Sequence, residues 1–234
     1  MDDPFADPAA IRAALARGTW FRALPEAIAD ALVAAATVER VPEGAAIHHF
    51  GDGSDALYAV LAGTVKVSSV STEGRECVFR HLLPGDWFGE IGVLDGGGRT
   101  HDAVTIADTC LLVVPPHRVA EILDRYPLLY RFLALLLCRV VRTAFTMLTD
   151  TTLLSLDARL AKRLLSFARA ATRAGDDELV VRLTQEQIAA LCGATRQAVN
   201  IRLARWRKRG WIELGYGALR VRDLAALERL ADAP

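Results

Sequence analysis

The chain has 234 residues, 52% hydrophobic and 24% charged, with 28 basic against 28 acidic side chains and a formal net charge of +0. These totals describe a soluble globular protein of one large domain or two modest ones. Cys77, Cys110, Cys138 and Cys192 are widely scattered with no CxxC pair, which argues against zinc or a local iron–sulfur cluster and fits a reducing cytoplasm. No basic segment followed by an apolar run opens the chain, so no signal peptide is expected. The most apolar stretch, Leu128 to Leu137, is broken by Arg131 and is too short to span a bilayer, so no membrane is expected. The neutral total hides an asymmetry. Residues 155–234 carry 15 Lys and Arg against 9 Asp and Glu, and residues 182–222 carry 9 against 2. A basic C-terminal module follows an acidic remainder, which is the footprint a phosphate backbone requires.

Residues 8–17 and 25–36 are Ala-rich and amphipathic and predict two short helices, the second with Pro25 at its N1 position. From Val38 to Val114 short apolar or alternating runs recur (VERV, AAIHHF, LYAVLAG, VKVSSV, CVFRHL, AVTI, CLLVV), punctuated by PEG, GDGSD, TEG, PGD and DGGG. Seven or eight short strands at this spacing predict a sandwich or jelly roll and not a parallel sheet.

The stretch from Pro84 to His101 is the most chemical part of that roll. Gly89 and Gly92 allow close backbone approach, and residues 89–94 predict one helical turn, with Glu90 and Ile91 opening it. Arg99 and Thr100, beyond the Gly96-Gly97-Gly98 loop, supply a guanidinium fork and a hydroxyl for an anion. Glu90 beside an anion is unfavourable unless hydroxyls donate to it, so a sugar phosphate suits these residues better than an inorganic anion. The alternative is a structural Glu90–Arg99 ion pair beneath a glycine-rich turn.

His117–Asp124 predicts a short helix, and Pro127 opens a long one. Along it Leu129, Leu133, Leu136, Val140, Thr143 and Met147 alternate by four and three residues, the seam of a coiled coil. Leu128, Phe132, Leu135 and Leu137 widen the apolar surface, so one side can pack on the roll while another meets a second copy. Asp150-Thr-Thr and Ser155-Leu-Asp157 mark a hinge.

Residues 183–214 predict two helices joined by a tight turn. Thr184 is an N-cap with Gln187 completing a capping box, Ile188 and Leu191 form the buried stripe, and Gly193 takes the turn. Thr195 caps a second helix whose inner positions are Val199, Leu203 and Trp206, closed by Gly210 after Arg207, Lys208 and Arg209. Its opposite face presents Arg196, Gln197, Asn200, Ile201 and Ala204. Arg pairs with guanine, Gln and Asn with adenine, and Ile meets a thymine methyl, so this face predicts major-groove contact, with Thr184, Thr195, Arg202 and Lys208 as further DNA contacts. Trp211–Leu214 and Ala218–Val221 around Gly215-Tyr216-Gly217 form a wing hairpin with Arg220 and Arg222 available for phosphate.

Two other readings compete with DNA binding. His48-His49 with Glu90 and His81 or His101 suggests a metal site on a jelly roll, but adjacent strand residues point to opposite faces, no HxH spacing exists, and no nucleophile–base arrangement is readable. No enzyme is expected. A regulatory subunit that holds another protein would not need the basic count of 182–222.

The sequence resembles the Crp/Fnr family of transcription regulators over nearly its whole length. The resemblance is carried by Gly44, Gly51-Asp52 and Gly63, by Gly85-Asp86, Phe88-Gly89-Glu90 and Arg99-Thr100, and by residues 184–212. It implies an α+β fold: an N-terminal double-stranded β-helix or jelly roll of the cyclic-nucleotide-binding kind, a long dimerisation helix and a C-terminal winged helix-turn-helix. The implied divisions are a sensor at 1–124 with its roll at about 38–114, a helix and hinge at 125–154, and a DNA-binding domain at 155–234. In the family Glu meets the ribose 2′-hydroxyl while Arg and the hydroxyl residue hold the cyclic phosphate, roles that would fall to Glu90, Arg99 and Thr100. The implied protein is a cytoplasmic, bacterial homodimer that binds a palindromic DNA site, is switched by a cyclic nucleotide or dinucleotide, and has RNA polymerase as a further partner. A constitutive DNA binder without a nucleotide is the alternative.

The sequence also departs from the family pattern. His101 stands where the nucleotide binders carry a small Ala. Ala144 and Phe145, flanked by Thr143 and Thr146, stand where cAMP-binding members carry a Thr-Ser pair that reaches adenine. No cysteine cluster precedes Cys77, and Phe88-Gly89-Glu90 occupies the place of the haem branch's ligands, so neither iron–sulfur nor haem is expected. On the reading helix Gln197 and Ile201 replace a Glu and a second Arg, which predicts a different target sequence.

Overall fold

The computed structural model describes residues 4–54, 56–73, 76–173, 179–181, 183–215 and 218–232, the side chains of 168–173 excepted. Tyr216 and Gly217 of the wing turn and Gly74 of the TEG turn lie outside the described residues. The chain divides into two compact units, Met1–Ser69 with Phe79–Thr143, and Val70–Val78 with Ala144–Pro234.

The first unit opens with helices α1 (Pro8–Leu15), α2 (Thr19–Arg22) and α3 (Glu26–Ala34). Asp7 caps α1 through a bond from the Ala9 amide to its carboxylate at 2.8 Å. Pro25 is the N-cap of α3 and not its first residue, and the short α2 divides what the Ala-rich pattern did not resolve.

Eight strands of the described residues follow: β1 (Thr37–Val41), β2 (Ala46–His48), β3 (Leu57–Ala62), β4 (Val65–Val70), β5 (Glu76–Leu82), β6 (Trp87–Phe88), β7 (Asp102–Thr105) and β8 (Thr109–Val114). They form two antiparallel four-stranded sheets, ordered β1-β8-β3-β6 and β2-β7-β4-β5. The unbroken apolar runs of β3 and β8 have a physical reason. Tyr58, Val60, Leu111 and Val113 face the interior between the sheets, where Val65, Val67, Leu82 and Phe88 meet them. Leu57, Ala59, Leu61, Leu112 and Val114 face the other way, into a second core with Leu15, Trp20, Leu32 and Trp87. A sheet buried on both faces loses the alternation of a half-exposed one.

Two helices complete the unit, α5 (Pro116–Arg125) and α6 (Leu128–Leu153). Leu129, Leu133 and Leu136 of α6 are buried in the sensor core, and Trp20 Nε1 donates to the Phe132 carbonyl at 2.7 Å. This corrects the expected partner seam. Three of its six residues serve their own chain, while Leu135, Cys138, Val141, Phe145 and Leu148 are exposed. A four-three spacing shows that a stripe is buried, but not against what. By length and composition α6 as a whole would also suffice to cross a bilayer, unlike the shorter run considered above.

In the second unit α7 (Leu156–Arg173) follows a break at 154–155, then come β9 (Val180–Val181), α8 (Gln185–Leu191), α9 (Arg196–Lys208), β10 (Ile212–Gly215), β11 (Ala218–Val221) and α10 (Leu224–Ala231). The hinge is narrower than expected, because Asp150, Thr151 and Thr152 are helical. Asp150 is buried and accepts Lys162 Nζ at 2.9 Å, and Arg159 Nη1 reaches the Thr151 carbonyl at 3.0 Å. The core gathers Leu160, Leu164, Val181, Ile188, Val199, Leu203, Trp206, Ile212, Leu219 and Leu227. Strand β9 pairs with β11 and adds a third strand to the wing sheet, one too short to show in the sequence.

Candidate effector site and DNA-reading helix

Strand β6 delivers the chain to Gly89, whose φ of 91° is a left-handed conformation that side chains rarely adopt. A Cβ there would lie 2.7 Å from Arg99 Nη1 and 2.8 Å from the Ala56 carbonyl oxygen, so the position admits only glycine. The six-residue α4 (Glu90–Asp95) begins immediately after it. Arg99 returns on the far side of the glycine loop. Its backbone is stitched to the preceding turn, with Gly51 N donating to Arg99 O at 2.8 Å and Arg99 N to Asp52 O at 2.7 Å. The Gly51-Asp52 pair therefore fixes where the cassette arginine starts. The Arg99 guanidinium donates to Ala56 O at 2.8 Å and lies over the Tyr58 ring, 5.3 Å from its centroid.

Glu90 and Arg99 are both buried, each 4% exposed. Burial pushes the Glu90 carboxyl above its ordinary value, while its backbone hydrogen bond and the charges of Arg80 and Arg99 pull it back. Ile91 is half-buried and Thr100 exposed. Thr100 Oγ1 is 2.8 Å from His101 Nδ1. Burial holds the His101 imidazole below its ordinary value, Arg80 and Arg99 push the same way, and Asp102 opposes them.

Rings line the neighbouring interior. Tyr58 stacks on Phe88 at 5.0 Å, His48 lies 6.2 Å from Phe88 and 6.4 Å from His101, and Phe79 meets His101 edge-on at 6.0 Å. The structure thus brings together Gly89, Glu90, Ile91, Arg99 and Thr100. It adds Arg80 and His48, which sequence reasoning missed as parts of the cassette. A signal for Arg80 existed: it shares the parity of Val78 and Leu82 on β5, both buried, and a cation at such a position calls for an explanation. Thr143 and Thr146 are exposed on α6, and the Thr143 hydroxyl donates to its own helix at Arg139 O, 2.9 Å away.

The second candidate site is the reading helix. Thr184 Oγ1 accepts Gln187 N at 3.2 Å while Gln187 Oε1 accepts Thr184 N at 2.8 Å, so the capping box of α8 is complete. Gly193 turns the chain at φ 59°, and Thr195 Oγ1 caps α9 by accepting Ala198 N at 3.2 Å. Val199, Leu203 and Trp206 are fully buried, which fixes the rotation of α9 about its axis. Arg196, Gln197, Asn200 and Ile201 are consequently exposed on one face, Ile201 by 61%. Exposing a large apolar side chain there leaves it free for contact. Lys208 is exposed in the last turn beside Arg207.

Arg202 is placed differently from its neighbours. It is half-buried, with Nη1 on the Ala198 carbonyl at 3.0 Å and Nε 3.3 Å from the Asp157 carboxylate. That carboxylate also takes Arg205 Nη2 at 2.5 Å and Trp206 Nε1 at 3.2 Å, so Asp157 braces α9 from the start of α7. Sequence reasoning saw Asp157 only as a hinge marker. In the wing, Arg222 is ion-paired with Glu213, whose carboxyl it holds below its ordinary value, and half-buried Arg220 sits opposite Glu213 in register. Among the described residues no group of three or more His, Cys, Asp and Glu is placed to hold a metal ion.

These two sites coincide with two domain models. Residues 38–126 match the cyclic nucleotide-binding domain and residues 158–230 the Crp-like helix-turn-helix domain. A CRP-like cAMP-activated global transcriptional regulator of Mycobacterium tuberculosis is 34% identical over 219 residues, 93% of this chain and 98% of that protein. The cyclic AMP receptor protein of Thermus thermophilus is 33% identical over 190 residues, 81% and 86% of the two chains. Among solved structures, a CRP-family transcriptional regulator of Thermus thermophilus superposes with a TM-score of 0.70 at 29% identity, covering 83% of this chain and 97% of that one. FixK2 of Bradyrhizobium japonicum shares the fold with a TM-score of 0.75 at 22% identity, covering 85% and 98%. Crp-like regulators bind DNA, act as dimers and are not enzymes. With both domain models matched in order and the relatives aligned across most of its length, the chain belongs to the Crp/Fnr family of transcription regulators.

Proposed function

We propose that the protein is a cytoplasmic, homodimeric regulator that reads a palindromic DNA site and is switched by a nucleotide effector in the β-roll. The observation that carries this reading is the rotation of α9. Val199, Leu203 and Trp206 anchor one face, and Arg196, Gln197, Asn200 and Ile201 stand together on the other. Arg196 is suited to a guanine, Gln197 and Asn200 to adenines, and Ile201 to a thymine methyl. Thr184, Thr195, Lys208 and Arg220 would contact DNA outside this face, whereas Arg202 is paired with Asp157 and acts by holding the helix. Two readers on a two-fold axis require half-sites about 34 Å apart. RNA polymerase is the natural further partner of such a regulator.

The effector reading rests on the fit of the cassette to a ribose phosphate. Gly89 lets the Arg99 guanidinium close on the backbone at the start of α4, and buried Glu90 can meet a ribose hydroxyl at little cost because burial already disfavours its charge. Arg99 and Thr100 would hold the phosphate, and a cyclic nucleotide would supply the ligand. The exposed apolar residues of α6 from Leu135 to Leu148 suit a second copy of the chain, as three leucines of the same helix are already buried in the sensor. Effector and DNA binding are coupled if the ligand favours the dimer state that sets both α9 helices on one DNA face.

The Thr100–His101 hydrogen bond favours a second reading, in which the cassette closes on itself and the regulator binds DNA constitutively. Fluorescence anisotropy with a selected duplex, titrated across salt with and without cyclic nucleotides, separates the two. DNA affinity falling steeply with salt and raised by a nucleotide supports the switched regulator. Steep salt dependence with no nucleotide effect supports the constitutive one. Affinity that is independent of salt would reject DNA reading altogether.

A further inference from the structure

Beside the cassette the structure holds a cation that the phosphate site does not require. Arg80 lies on β5, and its guanidinium makes a single long hydrogen bond, Nη2 to the Trp87 carbonyl at 3.4 Å, on the strand that leads into Gly89 and Glu90. Among the described residues no carboxylate lies within ion-pair distance of it. Its charge acts on both Glu90 and His101, in each case more strongly than that of Arg99. His101 completes the cluster. Its ring packs against Phe79 and His48, its one hydrogen bond uses Nδ1 with the Thr100 hydroxyl, and Nε2 can donate whenever that hydroxyl donates to Nδ1 or the ring is protonated.

We propose that Arg80 and His101 form a second anion subsite beside Arg99 and Thr100. The effector is then a ribonucleotide with two negative charges, as two phosphodiesters or one phosphomonoester, and not a singly charged cyclic mononucleotide. This inference rests on the effector reading above and narrows its ligand. A guanidinium without a carboxylate partner is an anion receptor already desolvated on one side. An imidazole against aromatic rings adds a directed donor that a small residue at position 101 could not provide.

The proposal also implies proton linkage. Among the described residues, the charges that act on His101 are Arg80 on β5, Arg99 in the glycine loop and Asp102 on β7, the last also bonded to His49 and to the Phe50 amide, and His48 on β2 packs against its ring. Arg80 and Arg99 disfavour imidazolium and Asp102 favours it. A second ligand anion between Arg80 and His101 shifts this balance toward imidazolium, so binding takes up a proton near neutral pH.

The test is calorimetry on the full-length protein at pH 7.0 with cAMP, cyclic di-GMP and 5′-AMP, each in two buffers of different ionisation enthalpy. The expected result is that at least one doubly charged ligand binds about tenfold tighter than cAMP, the scale of one charge-assisted hydrogen bond. Proton uptake should accompany it, and which of the two binds tells phosphodiester pair from phosphomonoester. Arg80→Gln should abolish the preference, so that the doubly charged ligands bind no tighter than cAMP does to the same variant, and His101→Asn should abolish the proton uptake. If cAMP binds as tightly as the others, or Arg80→Gln leaves the preference intact, the second subsite is wrong and the effector reading stands. If none of the three binds saturably, the effector reading itself fails and the subsite with it.

Discussion

The two functional regions treat their ionisable side chains in opposite ways. At the base of the reading helix, Asp157 receives Arg202, Arg205 and the Trp206 indole, so its charge is met on several sides within the protein. In the roll, Glu90 and His101 are each shifted by burial toward the neutral form, and Arg80 has no carboxylate partner among the described residues. Satisfied polar networks rigidify, whereas unsatisfied ones are costly and ready to be relieved by a ligand. The reader is therefore preorganised by its own side chains, and in the proposed switch the roll is what a ligand completes. A switch needs this division, because a sensor already satisfied would gain little from its effector.

The sharpest way to break the comparison is to remove the anchor of the reader. Trp206→Ala deletes a side chain with no exposed surface, and a loss of about 3–5 kcal/mol in the stability of the C-terminal unit is expected. Chemical denaturation followed by tryptophan fluorescence and circular dichroism would show it, with DNA binding lost in parallel. Asp157→Ala comes next. It strands the Trp206 indole N–H and the half-buried Arg202, at a cost of about 1–3 kcal/mol. DNA affinity should fall although no DNA-facing residue is altered, and unchanged affinity would show that the bracing does not orient the helix. Arg196→Ala should leave stability untouched. It should cost about 1–3 kcal/mol on the preferred site and relax the choice of one base pair, as read by anisotropy on a panel of duplexes.

How much of this was visible beforehand follows the same line. In the reader the caps, the tight-turn glycine and the buried triad Val199, Leu203 and Trp206 are all local, each set within four residues of its neighbour, and the structure places every one of them as the sequence predicts. Asp157 was missed because its partners lie 45 to 49 residues further along the chain. The roll's cassette was legible through its glycines, but Arg80 joins it from β5 of the other sheet, and only the packing of the two sheets brings it to the Trp87 carbonyl. The long helix was legible in part. Its leucine spacing is genuine, yet Leu129, Leu133 and Leu136 bury against the sensor, because periodicity reports a buried stripe without naming what covers it.

The smallest expected effect is the most direct test of the sensor's half of the comparison. Folding holds the His101 imidazole below its ordinary value of 6.5, so below that pH the unfolded chain takes up the proton before the folded one does. The contribution of His101 to stability is thus fully present above pH 6.5 and is lost as the pH falls toward its folded value. Glu90 has the opposite sign. Folding raises its carboxyl above 4.5, so its burial costs stability as the pH climbs through that raised value and the folded group must ionise. Thermal melts of the protein and of His101→Asn, taken between pH 5 and 8, should therefore differ in slope on the acid side, with the variant losing less stability on acidification. Above pH 6.5 the two slopes should run parallel. A saturating effector that donates an anion to His101 should flatten the acid-side slope of the native protein toward that of the variant, because the imidazolium is then welcome in the folded state. Melts whose slopes agree at every pH would mean that His101 is solvated well enough to titrate normally, and the contrast between a satisfied reader and an unsatisfied sensor would then rest on Glu90 and Arg80 alone.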